Sequence, residues 1–470
     1  MKKGMSSHSG SGGLLELVAR GKKDSFFTAN PVVSFFHSVY IRAAPFTKEI
    51  YVSKPRNVPE WGRWVEFDLE HRGDLAKNFY LRIELPTWLP SLAVAANARG
   101  LVTDASGVTF GYCNNVGFQV LDRIQVFQDQ VLLHELHGEY LDWRLRQSYD
   151  IATTYVLSSE VGSRPETALA IGRSASGGTL RVPLPLLGWQ HLHDPGFPSI
   201  ALRSQRFRLR ILLRRLEDVV VASDGRLNPR PWGGKPLRIQ ATADGSVNTS
   251  QVTLRRDAMR AIGLSLESTQ VYVPGDVQLY LKSQVIRMPV IHAQTQQFTI
   301  EDNQMTAAAV TGFGTFSMPL ALDFIGAVDR LLIGFRSAAA TLAGQRTALI
   351  PAARTARLNI ANIDRIKEWP MTVFRDVSAY WKNRRAALDL SDPDVLQNVY
   401  TLTFGGSDNG TPAGTLSFTR AVLPTLYLSL AALPYDRRNT SRQCFAIVYA
   451  ESWNVFEIGG GRGKMMFDDS

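Results

Sequence analysis

The stretch VEFDLEHRGDLAKNFYLRIEL, residues 65–85, decides the fold class because its apolar and polar residues alternate. Two apolar runs flank the connection HRGD at 71–74: Val65, Phe67 and Leu69, then Phe79, Leu81, Ile83 and Leu85. A period of two is typical of a strand that buries one face. Gly73 and Asp74 supply turn chemistry. The stretch therefore predicts two strands joined by a tight connection.

The same alternation continues along the rest of the chain. In the first half it predicts strands at 116–126, at 180–186, where two prolines indicate a sheet edge, and within 203–215. In the second half it predicts strands at 277–280, 297–300, 331–335, 416–418, 426–430 and 445–449. The best helix candidate is 134–147, whose apolar residues fall on one helical face. Many strands with few, short helices favour a sandwich or jelly roll.

Length and composition indicate a folded protein of two domains. At 470 residues the chain exceeds the usual size of a single core, so two domains of roughly 200 residues are expected. Apolar residues make up 45% and charged residues 20%, which is ordinary globular composition. The stretch 223–248 is rich in Gly, Pro, Asp and Ser and is the clearest candidate linker, within which 237–240 is compatible with a short strand. No structure is predicted for the Ala-rich stretch 338–357.

The net charge of +10 and pI near 9.6 are compatible with a nucleic-acid or anionic-lipid partner. The basic residues are dispersed, however, and the densest stretch, 203–215, alternates arginine with apolar residues. That alternation indicates a strand with one buried and one charged face. We therefore expect a solvated or interface face there rather than direct nucleic-acid binding.

Two cysteines and the absence of a long apolar segment limit the compartments that fit. Cys113 and Cys444 are too few for a disulfide framework, and a reducing compartment such as cytosol fits. The apolar stretch after the N-terminal Lys, Ser and Gly residues is too short for a signal-peptide core. No stretch approaches the roughly 20 apolar residues that span a bilayer. We expect neither ordinary secretion nor an integral membrane protein.

Histidine pairs raise the possibility of a metal site. His191 and His193 would share one face of a strand, as in cupin-type metal enzymes, but DPG at 194–196 indicates a loop. His134 and His137 lack the spacing of a zinc-protease helix. Ordinary surface or interface histidines are therefore the favoured interpretation. Arg72, Gly73 and Asp74 also spell a cell-attachment tripeptide, for which a turn is the simpler interpretation.

A series of segments, in order from one end to the other, resembles the double jelly-roll major capsid proteins of the nucleocytoplasmic large DNA viruses, which include iridoviruses, chloroviruses and marseilleviruses. The matching segments in the first half are GLLELVARG at 13–21, DSFFTANP at 24–31, RGDL at 72–75, YLRIELP at 80–86, NVGFQVL at 115–121, YLDW at 140–143, VPLPL at 182–186, RLRI at 208–211 and LED at 216–218. Those in the second half are LDF at 322–324, GTLSFTR at 414–420, YAESWNV at 449–455 and GGG at 459–461.

The resemblance implies an all-β fold of two tandem eight-stranded jelly rolls with short helices in the connections. It implies an N-terminal arm beneath the capsomer at 1–30, a first jelly roll at 31–222, a linker at 223–262, and a second jelly roll with a C-terminal tail at 263–470. The long connections 90–114, 150–178 and 338–358 would form outer towers and contacts between subunits.

For function, the resemblance implies a structural major capsid protein that forms pseudo-hexameric homotrimeric capsomers of an icosahedral shell. No enzyme activity, cofactor, or catalytic or metal-binding residue is expected. The expected partners are the chain itself, neighbouring trimers, and minor capsid, cement and penton proteins, with possible proximity to an inner membrane and no sequence-specific nucleic-acid binding. The expected location is the virion capsid, after assembly in the host cytoplasm.

Two alternatives from other classes remain open. A cupin-type metal-dependent enzyme would bind metal through His191 and His193. A carbohydrate-binding jelly-roll module would hold a glycan pocket in its loops and form no large ordered assembly.

Overall fold

A computed structural model of the chain describes residues 45–70, 72–89, 100–148, 151–165, 167–186, 196–202, 205–225, 229–243, 246–300, 315–337, 353–378, 399–406, 414–431 and 444–467. The chain divides into two compact units, Met1–Pro45 and Phe46–Ser470. All the elements described below lie in the second unit.

The described residues are predominantly β-structure. The strands in chain order are β1 Thr47–Ser53, β2 Trp64–Leu69, β3 Leu75–Leu85, β4 Leu101–Thr103, β5 Thr109–Tyr112, β6 Leu121–Gln128, β7 Val131–His137, β8 Gly178–Pro183, β9 Phe207–Leu213, β10 Val220–Ala222, β11 Leu237–Ala243, β12 Ser246–Val252, β13 Gly263–Tyr272, β14 Ile286–Ile300, β15 Thr315–Ala321, β16 Ala327–Ser337, β17 Ala353–Ile360, β18 Ile363–Pro370, β19 Val399–Thr403, β20 Leu416–Ser417, β21 Thr425–Ala431, β22 Cys444–Gly459 and β23 Arg462–Met465.

Short helices occupy the connections. The α-helices are α1 Val116–Gln119, α2 Gly138–Ser148, α3 Ile151–Val161, α4 Ala168–Ser174 and α5 Gly275–Ser283. Single helical turns of other types are Ser199–Ala201, Leu216–Val219, Arg256–Met259 and Val373–Ser378. Within the described part of the chain, no helix is long and apolar enough to cross a membrane.

The strand order is the same in both halves of the second unit. The first half has two antiparallel four-stranded sheets, β1-β13-β3-β8 and β2-β9-β6-β7. The second half repeats them as β14-β22-β16-β19, to which β20 and β23 are added, and β15-β21-β17-β18. In each half, the eight strands of these two four-stranded sheets can be numbered 1 to 8 along the chain, leaving out β20 and β23. Both halves then have sheets of order 1-8-3-6 and 2-7-4-5. Two eight-stranded jelly rolls are therefore present, which confirms the predicted fold class.

A fifth sheet, β10-β5-β4-β11-β12, is built from two connections of the first jelly roll. Strands β4 and β5 follow the third strand of the roll, and β10 to β12 follow the seventh. The connection between the fifth and sixth strands carries α2, α3 and α4. These insertions explain why the first half is longer than the second.

The stretch that predicted the fold forms two strands, as expected, but they do not pair with each other. β2 pairs with β9, and β3 pairs with β13 and β8, so the two strands belong to different sheets. Asp74 fixes the chain just before β3, because its carboxylate accepts hydrogen bonds from the backbone N–H of Val273 at 2.8 Å and from Gln278 Nε2 at 3.1 Å. The alternation directs Phe67 and Leu81 into the core.

The predicted charged strand within 203–215 is β9. Leu209 and Ile211 are fully buried, whereas Arg210 lies on the opposite face. Its Nε is 3.0 Å from Glu66, and its guanidinium lies over the Trp64 ring at 4.8 Å. The prediction of one buried and one charged face is confirmed. The prediction of an edge position for 180–186 is also confirmed, because β8 ends its sheet.

Three predicted elements are wrong in type or position. Residues 116–119 form α1 rather than a strand, because Asn115 adopts a left-handed conformation with φ 50° that ends the extended chain. The helix expected from 134 begins only at Gly138, because residues 131–137 pair with β6. Residues 277–280 lie in α5 rather than in a strand. A run of only a few apolar residues, such as 116–119 or 277–280, fits both the two-residue period of a strand and the 3.6-residue period of a helix.

Strand pairing places the boundary between the jelly rolls later than the sequence suggests. Residues 263–272, expected to open the second jelly roll, form β13, the eighth strand of the first, between β1 and β3. Residues 237–252, expected in a linker, form the hairpin β11–β12. Because the partners of β13 are distant in sequence, local composition does not reveal them. The connection between the rolls is then the segment with α5, after Tyr272.

Gly138 is needed where β7 turns into α2. A Cβ atom at this position would lie 2.2 Å from the carbonyl oxygens of both Phe118 and Leu121. We expect Gly138→Ala to lower the free energy of unfolding by about 1–3 kcal/mol, because backbone must move to admit the methyl group. Chemical denaturation measures this change. Gly275→Ala is the control, since its Cβ would meet nothing within 4 Å, and equal stability of the two variants would contradict the prediction.

Candidate functional site

The junction between the two jelly rolls is the most extensively built site among the described residues. It joins α2 and β7 of the first roll to β14, β16 and β22 of the second, and we call it the inter-roll junction. Strand β22 is buried on both faces: Ala446 and Val448 lie in the core of the second roll, and Ile447 and Tyr449 pack with the core of the first. The second roll therefore uses one sheet to form two cores.

Aromatic side chains of α2 pack closely against the second roll. A Cβ atom at Gly334 of β16 would lie 2.1 Å from the Trp143 ring, so only glycine fits under that ring. Trp143 meets Tyr449 edge to face with centroids 5.5 Å apart, and Tyr140 lies 5.4 Å from the same ring. Such contacts add specific geometry to the burial of apolar area.

A buried charge cluster lies at the centre of the junction. Glu451 of β22 has one carboxylate oxygen 3.0 Å from Arg144 Nε and the other 2.6 Å from Arg330 Nε. Tyr140 donates its hydroxyl to Glu451 at 2.9 Å. All four residues are at most 1% exposed. Arg144 and Tyr140 belong to the first roll, and Arg330 and Glu451 to the second, so the cluster joins the two.

The electrostatics of the cluster follow from burial. Burial and the nearby Glu451 carboxylate raise the pKa of Tyr140, so its hydroxyl keeps the proton that it donates. A second buried pair lies beside the cluster, where Arg336 Nη1 is 3.6 Å from Glu139. Burial raises the pKa of Glu139, and Arg336 opposes that effect. These charges are paired, as buried charges must be.

A histidine pair lies at the edge of the junction. His134 of β7 has its Nε2 3.1 Å from the carbonyl oxygen of Ile291 in β14, and its ring centroid is 5.7 Å from that of His292. The carbonyl acceptor assigns the proton to Nε2 of a neutral ring. Burial, with a further effect of His292, lowers the pKa of His134 to about 3. His134 is thus an interface histidine, as the sequence suggested.

The histidines considered as metal ligands form no metal site among the described residues. No group of three or more His, Cys, Asp or Glu suited to a metal ion occurs among the described residues. His137 pairs with Glu135 at 3.5 Å. His191 and His193 lie outside the described residues. In the RGD tripeptide the Asp74 carboxylate is buried by its contacts with 273 and 278, so it forms part of a structural turn.

The inter-roll junction could not be predicted from the sequence. Tyr140 and Trp143 lie in the helix predicted at 134–147, but nothing in the sequence connects them with Glu451 or Arg330. A local signal exists in charged residues within apolar strands, such as Glu451 in β22 and Arg330 in β16. The partners of those charges come from distant parts of the chain, so spacing could not identify them.

The duplicated fold and the buried, structural junction define a double jelly-roll protein. No protein-family model matches the chain. The major capsid protein of Phaeocystis pouchetii virus is 24% identical over 549 aligned residues, which cover 97% of this chain and 100% of that protein. Probable capsid protein 4 of Acanthamoeba polyphaga mimivirus is 28% identical over 130 residues, 28% of this chain, and the match spans about a quarter (24%) of that protein.

Among solved structures, PBCV-1 VP54, fitted into a reconstruction of the virophage Sputnik, matches with a TM-score of 0.67 at 14% identity. The match covers 93% of this chain and 100% of VP54. At that identity the structural match supports the fold alone. This chain therefore has the double jelly-roll fold, and in sequence it is similar to major capsid proteins of large DNA viruses.

Glu451→Gln tests the charge cluster. The substitution preserves shape but removes the carboxylate charge that faces Arg144 and Arg330 in the interior, so we expect the free energy of unfolding to fall by about 3–5 kcal/mol. Chemical denaturation measures the loss. Glu457→Gln on the same strand is the control, because its partner Arg287 is largely exposed and such pairs contribute about 1 kcal/mol or less. A loss no larger than that of the control would refute the role of the cluster.

The histidine pair predicts acid sensitivity. Because the folded pKa of His134 lies below its ordinary value of 6.5, the unfolded chain takes up a proton as pH falls and the folded chain does not. Stability is therefore fully present above pH 6.5 and declines below it, by about 2 kcal/mol at pH 5. His134→Gln keeps an N–H for Ile291 but cannot titrate. Denaturation from pH 8 to pH 5 should show a smaller loss for the variant, and an equal loss would contradict the assignment.

Proposed function

We propose that three copies of the chain form a trimeric capsomer in which six jelly rolls surround a three-fold axis. Such a trimer has a pseudo-hexagonal outline and fits a six-coordinated position in an icosahedral shell. The observation that carries the proposal is the repeated strand order, which supplies two similar building blocks in each chain. Three chains then give six blocks.

The inter-roll junction supports this function because a shell tile must keep a defined shape. A junction of apolar contacts alone could slide, since apolar burial is non-directional. The Glu451 cluster is directional: displacement would separate Arg144 from the Glu451 carboxylate in the interior, which is strongly unfavourable. The two blocks of each chain are therefore expected to behave as one rigid body in the assembly.

The partners and location follow from the same proposal. Neighbouring trimers, and minor capsid, cement and penton proteins, would contact the connections that carry the fifth sheet and helices α3 and α4. The net charge of +10 is compatible with proximity to an anionic inner membrane. We propose location in the virion capsid after assembly in the host cytoplasm, with residues 1–30 as an arm beneath the capsomer.

The proposal also includes the domain organisation. The division expected from sequence is a first jelly roll at 31–222, a linker at 223–262 and a second jelly roll at 263–470, and we propose that the first roll instead includes residues up to Tyr272. The pairing of β13 with β1 and β3 favours extension of the first roll to Tyr272. The second roll then begins with β14.

Light scattering of the purified chain, coupled to size exclusion and negative-stain imaging, tests the trimer. We expect a stable species of three times the 52.1 kDa chain with a pseudo-hexagonal outline, because two rolls per chain give six rolls per trimer. A concentration series distinguishes a weak trimer from none. A monomer at every concentration would overturn the proposal.

A further inference from the structure

An open cavity, which we call the junction cavity, lies beside the inter-roll junction. Its walls come from β7 of the first roll and from β14 and the β22–β23 hairpin of the second. Its volume is about 790 Å³, within the range of roughly 300–1,000 Å³ that is usual for ligand pockets. The space is therefore large enough for several side chains of a ligand.

The junction cavity lies away from the insertions of the first roll. β7 begins at Val131, in the cavity wall, and ends at His137, where α2 follows. β9 begins beside Gln128, also in the wall, and ends at Leu213, after which β10 to β12 follow. A ligand of the cavity thus contacts a different end of the roll from a partner that binds the insertions.

One wall of the junction cavity is a sheet edge with exposed apolar residues. β7 ends its sheet, and no described strand pairs with its outer side. Val131 is 64% and Leu132 45% exposed, and Phe467, which also lines the cavity, is 53% exposed. An extended segment can add to such an edge through backbone hydrogen bonds while its side chains fill the apolar space.

A buried acceptor is also part of the wall. His134 is 3% exposed, and its Nε2 donates to the carbonyl oxygen of Ile291. In the described part of the chain, Nδ1 of the same ring has no hydrogen-bond partner. Because the neutral ring carries its proton on Nε2, Nδ1 accepts and does not donate. A ligand that supplies an O–H or N–H group here gains a hydrogen bond to an acceptor that water reaches poorly.

The charges of the wall favour a basic ligand. Among the described lining residues, the carboxylates of Asp129 and Glu135 outnumber the ammonium group of Lys464, although the whole chain carries a net charge of +10. Hydrogen bonds from His137 and Gln125 lower the pKa of Glu135 to about 2, so its carboxylate is charged at neutral pH. Complementary charge on a ligand would speed and orient its binding.

We propose that the junction cavity binds an extended segment of another protein, with a tyrosine as its anchor and a lysine or arginine beside that tyrosine. The tyrosine ring fills the apolar space beside Leu132 and Phe467, and its hydroxyl donates to His134 Nδ1. Tyrosine fits because it joins a rigid apolar ring to a polar tip. The described lining residues all belong to one chain, so the site does not depend on the proposed trimer.

Fluorescence anisotropy with synthetic peptides tests the site in the full-length chain. The probe is a labelled peptide of sequence KVYVK, blocked at both ends. The comparison peptides are KVFVK, which lacks the hydroxyl, and EVYVE, which reverses the charge. We expect KVYVK to bind about tenfold more tightly than KVFVK, because phenylalanine leaves the buried acceptor without a donor. EVYVE should bind more weakly than KVYVK, and high salt should reduce that difference.

Two variants and a control locate the binding. Leu132→Arg places a long cationic side chain in the junction cavity and should weaken KVYVK binding by about tenfold or more. Leu279→Arg is the matched control, because Leu279 is 69% exposed on α5 and is not a wall residue, and it should bind KVYVK as the wild type does. His134→Leu removes the acceptor, so it should bind KVYVK and KVFVK equally.

The outcomes separate the inference from the proposed trimer. Equal affinity of the wild type for KVYVK and KVFVK, or no effect of Leu132→Arg, overturns the inference. Binding only at concentrations where light scattering finds a monomer also overturns it, because a second copy of the chain then covers the cavity. A chain that is monomeric at every concentration but prefers KVYVK overturns the trimer and leaves the inference standing.

Discussion

The carboxylate of Glu451 is the group on which the arrangement of the two jelly rolls depends. It lies in the interior between two guanidinium groups, with a tyrosine hydroxyl as a further donor. A carboxylate out of water is tolerated only when opposite charges and donors surround it. Since Arg144 comes from the first roll and Glu451 from the second, a shift of one roll against the other would break this buried ion pair. The cluster therefore fixes the register of the junction.

The junction also determines how the second roll is packed. An antiparallel sheet commonly has one face in a core and one in solvent. In the second roll the sheet β14-β22-β16-β19 has cores on both sides, so residues 444–450 of β22 are buried or nearly so without alternation. Trp143 over Gly334 shows how close that approach is. The strands β1 and β18, each at the end of its sheet, differ from β22, because most of their residues are exposed.

The sequence predicted what local periodicity can predict. Where one face is buried and the other is polar, as in 65–69, 79–85 and 207–213, the strands are where the alternation placed them. Short apolar runs such as 277–280 were assigned to the wrong element, because a few residues do not distinguish a strand from a helix. The membership of β13 in the first roll and the partners of Glu451 depend on residues far apart in sequence. Spacing carries no information on such contacts.

The inter-roll junction is expected to hold the two rolls as one rigid body. An assembly then uses that rigid body as its repeated unit. Hydrogen–deuterium exchange of the whole chain in increasing denaturant, read by mass spectrometry, tests that rigidity most directly. If the junction holds the rolls together, both rolls should lose protection from exchange in one cooperative step. The peptides to compare come from β3 and β13 in the first roll and from β16 and β22 in the second. Loss of protection in one roll while the other stays protected would contradict this expectation.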